Sequence, residues 1–556
     1  MASTPASTCC PMAPSCPRPM RALARTKILP SSACASRLPK STRWRRRLRD
    51  NQPLAHGMKI IPGLLLTLAS LTALAAADAQ RQKPNIVFIL VDDMPYAGTS
   101  ITGNPVLETP HIDRIAREGM FFSRAYSETV CGPSRATIMT GQFAGRHGRT
   151  DNVPGVHPFA LMQEPLRPLT VGVEPGGFPG DGAAGARLPD PVQPGGYSLV
   201  QALKAGGYRT AISGKWHLPM QHLTPKTAAQ YGFDFCNERA DRSQPYRDAK
   251  RFTDDAIRFM RDNRERAFFL YLPFVAVHGP HIVPPEDQAR WKEKLRGRDV
   301  GIHPDMLASL EFVDRSVGRV LDALDELRLA DNTIVLLASD NGGVSKTVHS
   351  VDNHPLRMGK GTLYEGGVRV PLFIRWPGQI TRGRRSDVPV HFADLFPTLC
   401  DAAGVRIDPK HALDGVSLRP LFRGDPLPER TLFITFPHYL AGYATTPVRA
   451  VVRGRYKLVW HPYDHLEFEG GRVTSATTSY VAEPLAELFD LESDPGERTN
   501  LAAQYPEKVA ELKKLFTAWS KEAGAKDVSP NPAYDPRRPL LNSRDEALGA
   551  GKAGKK

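Results

Sequence analysis

Two short polar pairs, Asp92-Asp93 and Asp340-Asn341, lie far apart in the chain and offer only oxygen ligands, three of them anionic. Such a set suits a hard cation such as Ca²⁺ better than zinc, which favours nitrogen and sulfur. Taken alone, either pair at a strand end is more often a turn or a helix cap. A third feature changes that balance. Cys131 stands four residues before Arg135, and residues 134–140 can form the first turns of a helix. The two side chains then share a face near a helix N-terminus, an end that attracts anions through free N–H groups and the helix dipole. Lys215 and His217 sit in Gly214-Lys215-Trp216-His217, His278 in Ala276-Val277-His278-Gly279-Pro280-His281, and Lys360 in Gly359-Lys360-Gly361. A lone Lys or His is usually solvated surface or a satisfied core group. A cation combined with fixed positive charge could hold an oxyanion.

These groups matter only if the fold gathers them, and the apolar pattern says how. Residues 85–91 (NIVFILV) read as a strand buried on both faces of a parallel sheet, ending at Asp92. Thr109 and Pro110 start a helix with Ile112, Ile115 and Ala116 on one face and Gly119 as its stop. Residues 199–205 read as a helix and 208–213 as a strand that runs into Lys215 and His217; the apolar run 267–272 leads through Pro273 to His278. Met306, Leu310, Val313, Val317, Val320, Leu324 and Leu327 form the stripe of a long helix, which feeds a strand at 333–338 before Asp340. Four polar clusters thus follow the carboxyl ends of strands, the edge where open α/β sheets bind ligands. The expected fold class is α/β: a large, mostly parallel sheet flanked by helices, with a smaller C-terminal antiparallel sheet plus helix. Strand-like runs at 449–460 and 485–491 and a helix at 507–523 supply the second part.

At 556 residues the chain can bury a large core and carry a second unit. Its net charge of +15 is concentrated at one end: residues 1–57 hold eleven Lys and Arg against Asp50, which leaves only +5 for the rest. That split excludes a nucleic-acid partner. Residues 1–57 read as an upstream extension that the mature protein lacks. Residues 58–79 have the charged start, apolar middle and A-x-A finish of a Sec-type signal peptide starting at Met58, so the protein is expected to be periplasmic or secreted. The apolar run is short for a bilayer span, and no stable membrane anchor is expected. A catalytic domain is expected at 80–425, a smaller domain at 426–527 and a loose tail at 528–556. Only Cys131, Cys236 and Cys400 follow the leader, too few for a disulfide framework. The stretch between His147 and Ser198, dense in Pro and Gly, reads as a long loop beside the site.

The run Thr129-Val130-Cys131-Gly132-Pro133-Ser134-Arg135-Ala136-Thr137-Ile138-Met139-Thr140-Gly141 resembles the maturation signature of the formylglycine-dependent (type I), arylsulfatase-like sulfatases, which have the alkaline phosphatase superfamily fold. Residues 207–217 resemble that family's second signature, the likeness continues through 336–343, 353–361 and 364–378, and residues 486–502 look like its C-terminal domain. The resemblance implies that Cys131 is converted to formylglycine by a formylglycine-generating enzyme and that one Ca²⁺ per chain is held by Asp92, Asp93, Cys131, Asp340 and Asn341. It further implies that Arg135 holds the aldehyde hydrate, and that Lys215, His217 and Lys360 bind sulfate and handle protons. His278, with His281 as a weaker contender, contacts sulfate and can protonate the leaving oxygen. In the implied reaction one hydroxyl of the hydrate attacks sulfur, the alcohol leaves with a proton from His278 or Lys360, and His217 takes the proton of the second hydroxyl as sulfate departs. A Ser or Cys has one exchangeable group and could not expel sulfate by reforming a carbonyl.

Two departures from the family pattern are Thr129, where a smaller residue is usual, and Leu218-Pro219, where Gly commonly follows Leu. His147, His349, His354 and His391 are expected to be structural. The implied substrate is a sulfated small molecule or polysaccharide, chosen by the long loop and by residues such as His438, Tyr439 and Arg449. The rival readings are a phosphonate monoester or phosphodiester hydrolase of the same fold, and a binding protein in which Cys131 stays a thiol.

Overall fold

The run Asn85–Val91 forms strand β1, every residue of it buried. In this computed structural model the described residues are 83–151, 192–218, 222–238, 245–298, 300–344, 353–438, 445–468 and 483–525, with short strands at Leu169–Val171, Thr478–Val481 and Val528–Pro530. The expected leader, most of the loop after His147, and His349, Pro219, Tyr439 and the tail past 530 lie outside them.

Nine of the described strands form one sheet: β1, β2 (Met120–Tyr126), β3 (Arg209–Ser213), β4 (Phe235–Asn237), β5 (Phe268–Phe274), β6 (Thr333–Ser339), β7 (Arg369–Arg375), β8 (Arg384–Ser386) and β9 (Val390–His391). They stand in the order β9-β2-β7-β6-β1-β5-β3-β4, with β8 beside β2. The five strands from β6 to β4 are parallel, and β7 alone is reversed against both of its neighbours. Side chains of β1 alternate between two cores, Ile86, Phe88 and Leu90 on one face and Val87, Ile89 and Val91 on the other, as the period of two requires. Helix α1 (Pro110–Glu118) and the long α3 (Pro304–Glu326) cover the second face, and the expected stripe of α3 is buried from Met306 to Leu324. Between them in sequence, α2 (Cys131–Thr140) packs on the first face through Ala136, Ile138 and Met139.

Several local expectations change. The apolar run at 267–272 extends as strand through Pro273 to Phe274. The Thr109 hydroxyl donates to Asp113 Oδ1 at 2.9 Å instead of capping α1. Gly119 does end that helix, but the need for glycine comes from β7: a Cβ there would lie 2.2 Å from the Ile374 carbonyl oxygen. The run at 449–460 is a hairpin of β11 (Val448–Arg453) and β12 (Tyr456–His461), turning at Gly454 with φ 56°. With β10 (Thr431–Phe436) and β13 (Leu485–Asp490) it makes a separate antiparallel sheet in the order β10-β11-β12-β13. Helix α4 (Pro506–Ala523) covers it, with Trp519 stacked on Phe433 at 4.8 Å between ring centres. Arg449 lies under this helix, 4.8 Å from the Trp460 ring centre and 5.5 Å from that of Phe516, and so packs against the C-terminal core.

A fully buried ion cluster joins this sheet to the segment before β7. Lys457 Nζ, on β12, is 2.9 Å from Glu365 Oε1 and 3.0 Å from Glu497 Oε1, and Glu497 Oε2 accepts the Glu365 backbone N–H at 2.7 Å. Removing one partner of a buried ion set strands the others without compensation. Lys457→Met is therefore expected to lower unfolding free energy by about 3–5 kcal/mol in urea titrations. A loss near zero would show that the cluster does not fasten the two sheets.

Candidate active site

Val91 and Ser339 are in-register partners on neighbouring parallel strands, so Asp92-Asp93 and Asp340-Asn341 leave the sheet side by side. The Asp93 backbone N–H donates to Asp340 Oδ1 at 3.2 Å, and Asn341 Nδ2 donates to Asp93 Oδ1 at 2.8 Å. Asp93 has φ 62°, a left-handed turn that aims consecutive carboxylates into one place. Strands β3 and β5, on the other side of β1, end at Ser213 and Phe274 and are followed by Lys215 and His278 respectively. Lys215 Nζ is ion-paired with Asp92 Oδ2, and His278 Nε2 lies 3.7 Å from Asp93 Oδ2. His281 is not among the ligand atoms of Asp92, Asp93, Cys131 and His278 that lie within 4.8 Å of one another.

Cys131 is the first residue of α2, three positions ahead of the expected helical segment, and its Sγ lies 3.3 Å from Asp92 Oδ1. Lys360 Nζ stands 3.2 Å from Sγ and is paired with Asp93 Oδ1. Arg135, one helical turn on, reaches Asp340 Oδ2 at 2.8 Å through Nη2 and at 3.1 Å through Nε, and Asp92 Oδ2 at 3.4 Å. His217 follows Lys215 at φ 61°, with Nδ1 buried and unpartnered. All the predicted residues on β1, β3, β5, β6 and α2 thus meet at one edge.

The charges there depend on one another. Burial pushes the Asp92 carboxyl up, yet Lys215, His278, Arg135 and Lys360 together hold it well below the usual carboxylate range. Asp93 is likewise held low against burial, mainly by Lys360 and His278. Asp340 is pushed up to about 6 by burial and by Asp92, against Arg135. Burial, then Lys215 and Arg135, drive His217 well below the ordinary histidine value, and burial lowers His278 against the pull of Asp93. Near neutral pH the His217 imidazole is therefore uncharged. Burial, Asp340 and Asp92 push the Cys131 thiol far up, which makes the unmodified side chain a poor nucleophile.

Asp92, Asp93, Cys131 and His278 each bring a ligand atom within 4.8 Å of the others. Two oxygens, Asp93 Oδ2 and Asn341 Oδ1, are buried without any hydrogen-bond donor. Unsatisfied oxygens among carboxylates fit a hard divalent cation, which would be held by Asp92, Asp93, Asp340 and Asn341.

Comparison with known proteins gives the family. The Sulfatase family model covers residues 84–405, and a model described as N-sulphoglucosamine sulphohydrolase, C-terminal, covers 357–470. The chain belongs to the sulfatase family. Mouse (Mus musculus) N-acetylgalactosamine-6-sulfatase is 30% identical, the match covering 79% of this chain and 85% of the relative. Human (Homo sapiens) arylsulfatase A is 31% identical over 80% of this chain and 89% of its own length. A solved structure, BT4656 in complex with its substrate D-glucosamine-2-N,6-O-disulfate, has the same fold, with a TM-score of 0.55, 20% identity and coverage of 81% and 99%. The protein is a sulfatase, an enzyme that hydrolyses sulfate esters.

Some residues that build the sulfatase site gave no signal in the sequence. Thr129, noted there only as a departure, donates its hydroxyl to the Thr362 carbonyl at 3.0 Å and accepts the Gly361 N–H at 2.9 Å, tying the Cys131 loop to the Lys360 segment. Thr445 holds the same segment by donating to the Gly361 carbonyl at 2.7 Å. His391 is structural as expected: it caps the turn at 392–394 and packs edge-on to Phe143. His438 bonds Thr150 through Nε2 at 2.7 Å.

The raised Asp340 makes cation binding pH-dependent. A protonated Asp340 contributes stability that is fully present below its ordinary 3.8 and is lost as pH rises through about 6. In enzyme treated with a chelator, melting temperature is expected to fall across that window. A divalent cation must displace the proton, so its affinity, measured by calorimetry, is expected to weaken up to about tenfold per pH unit below pH 6. An affinity flat from pH 5 to pH 7 would contradict this.

Proposed function

We propose that this sulfatase is a Ca²⁺-dependent enzyme whose Cys131 is matured to formylglycine and which removes sulfate from a carbohydrate. The observation that carries the reading is the placement of Cys131 Sγ between Asp92 Oδ1 at 3.3 Å and Lys360 Nζ at 3.2 Å, with Arg135 one turn away on the same helix. When present, the Ca²⁺ ion supplies Lewis acidity at a sulfate oxygen, and the matured residue supplies a nucleophile that can later be released as a carbonyl. Around them Asp92, Asp93, Asp340 and Asn341 bind and orient the cation. Arg135 fixes Asp92 and Asp340 and stabilises negative charge near the helix N-terminus. Lys215 and Lys360 place fixed positive charge where the sulfuryl group gains anionic character. Lys360 or His278 can deliver a proton to the leaving oxygen, and His217, neutral and with a buried free nitrogen, accepts one as sulfate departs.

The carbohydrate substrate is supported by the relatives, whose names specify an N-acetylgalactosamine-6-sulfate and a glucosamine sulfate, and by the C-terminal family model. We further propose export to the periplasm or cell exterior by the leader at 58–79, maturation by a formylglycine-generating enzyme, and a division into a catalytic domain at 80–425 and a smaller domain at 426–527. Among the described residues no helix is long and apolar enough to cross a membrane.

The test is the mass of the Cys131 peptide from protein produced with a formylglycine-generating enzyme, followed by rates on sulfated sugars against phosphate diesters and phosphonate monoesters. The aldehyde is expected, sulfate esters are expected to be preferred, and Cys131→Ala is expected to lose at least about 1,000-fold in kcat. An unaltered thiol under conditions that mature a control sulfatase would overturn the nucleophile, and faster phosphonate or phosphodiester turnover would overturn the substrate class.

A further inference from the structure

His217 occupies a backbone conformation that residues with a Cβ avoid, at φ 61°. Something must hold it there, and the neighbouring structure supplies a clamp. Arg149 is buried, and its guanidinium spans two consecutive carbonyls: Nη2 donates to the His217 oxygen at 3.1 Å and Nη1 to the Leu218 oxygen. A planar fork with donors at fixed separation suits this pair of acceptors, whereas an ammonium group would reach one at a time.

Arg149 is itself anchored from behind the helix that carries Cys131. Its backbone N–H donates to His147 Nδ1 at 3.1 Å, which assigns the remaining imidazole proton to Nε2. That nitrogen lies 3.0 Å from Thr137 Oγ1, and the Thr137 hydroxyl faces Glu128 Oε1 at 3.3 Å. Glu128 Oε1 also accepts the Ala144 N–H at 3.0 Å. Each donor in this series meets an acceptor, and burial followed by the nearby Arg149 holds His147 at about 3, so the ring stays neutral. Thr137 lies on α2, six positions after Cys131. The relay therefore ties the nucleophile's helix to the backbone of His217. His147, expected to be only structural, is one of its joints.

We propose that Arg149 is a positioning residue of this sulfatase, its guanidinium locking the left-handed turn at His217–Leu218 so that the His217 imidazole is held ready to accept a proton as sulfate leaves. The inference rests on the proton-accepting role given to His217 above. It assigns no contact between Arg149 and substrate.

Two variants separate the clamp from the charge: Arg149→Lys keeps the cation and loses the fork, and Arg149→Met loses both. Circular dichroism and melting curves establish that each is folded, and Arg149→Lys serves where Arg149→Met does not fold. The first readout needs no turnover: the His217 ring is followed by NMR titration in unmatured, Ca²⁺-saturated protein. In wild type it is expected to titrate below the ordinary histidine range. In Arg149→Lys it is expected to move up toward that range although the charge remains, because the ring has left its site. The second readout is kinetic. Both variants are expected to lose about 10- to 100-fold in kcat with KM changed less than about twofold, the scale of a misplaced catalytic group. Unchanged kcat and ring titration in Arg149→Lys, beside a His217→Ala enzyme that is severely impaired, would overturn the clamp and leave the role of His217 intact. A His217→Ala enzyme with near-normal kcat would overturn that role and the clamp with it.

Discussion

Three carboxylates, Asp92, Asp93 and Asp340, emerge from neighbouring strands into a space sealed from water, and left to themselves burial and mutual repulsion would protonate them. The molecule's answer is to bring cations from three other parts of the chain: Arg135 from a helix, Lys215 from the end of β3, and Lys360 from the segment ahead of β7. The in-register parallel pairing of β1 and β6 creates the electrostatic problem, and the remaining topology delivers its compensation. Electrostatics of this kind demand accurate placement, because inside a protein an unpaired charge costs several kcal/mol while a paired one costs little.

Lys360 shows how that accuracy is reached. Its segment is short, irregular and buried, so its backbone groups need partners from outside it. On one side it is bonded to Gly343 and Thr129, close to Asn341 and Cys131 in sequence. On the other it is bonded to Thr445 and, through Glu365, to Glu497 and Lys457 of the C-terminal sheet. A Cβ on Gly342 would lie 1.8 Å from the Gly366 carbonyl oxygen, so the segment presses directly on the residue after Asn341. The smaller sheet thereby takes part in holding the Lys360 segment.

Much of this was legible in the sequence because each functional group follows a strand whose apolar run is unmistakable. The runs at β1, β3, β5 and β6 placed Asp92, Lys215, His278 and Asp340 at one edge without any coordinates. What escaped depends on contacts between segments hundreds of residues apart. Nothing local marks β7 as reversed, the hairpin at 449–460 as two strands, or Arg449 as a packing residue that spreads over two aromatic rings. Thr129 and His147 were read from local context alone, as a departure from pattern and as a core histidine. The Thr362 carbonyl that Thr129 meets lies 233 residues away and becomes visible only when the chain closes.

The two site histidines and the three site cations divide the work on physical grounds. The buried Arg135 guanidinium is always charged, which suits a permanent field but not the cycling of a proton. An imidazole at the same edge is stripped of charge by burial and by those same cations, and it becomes an acceptor with no cost of deprotonation. Lys215 and Arg135 thus act twice: they help hold Asp92 ionised, and they help keep His217 neutral. Removing one of them would disturb both functions together, and this coupling accounts for the density of charge the fold tolerates in so small a buried volume.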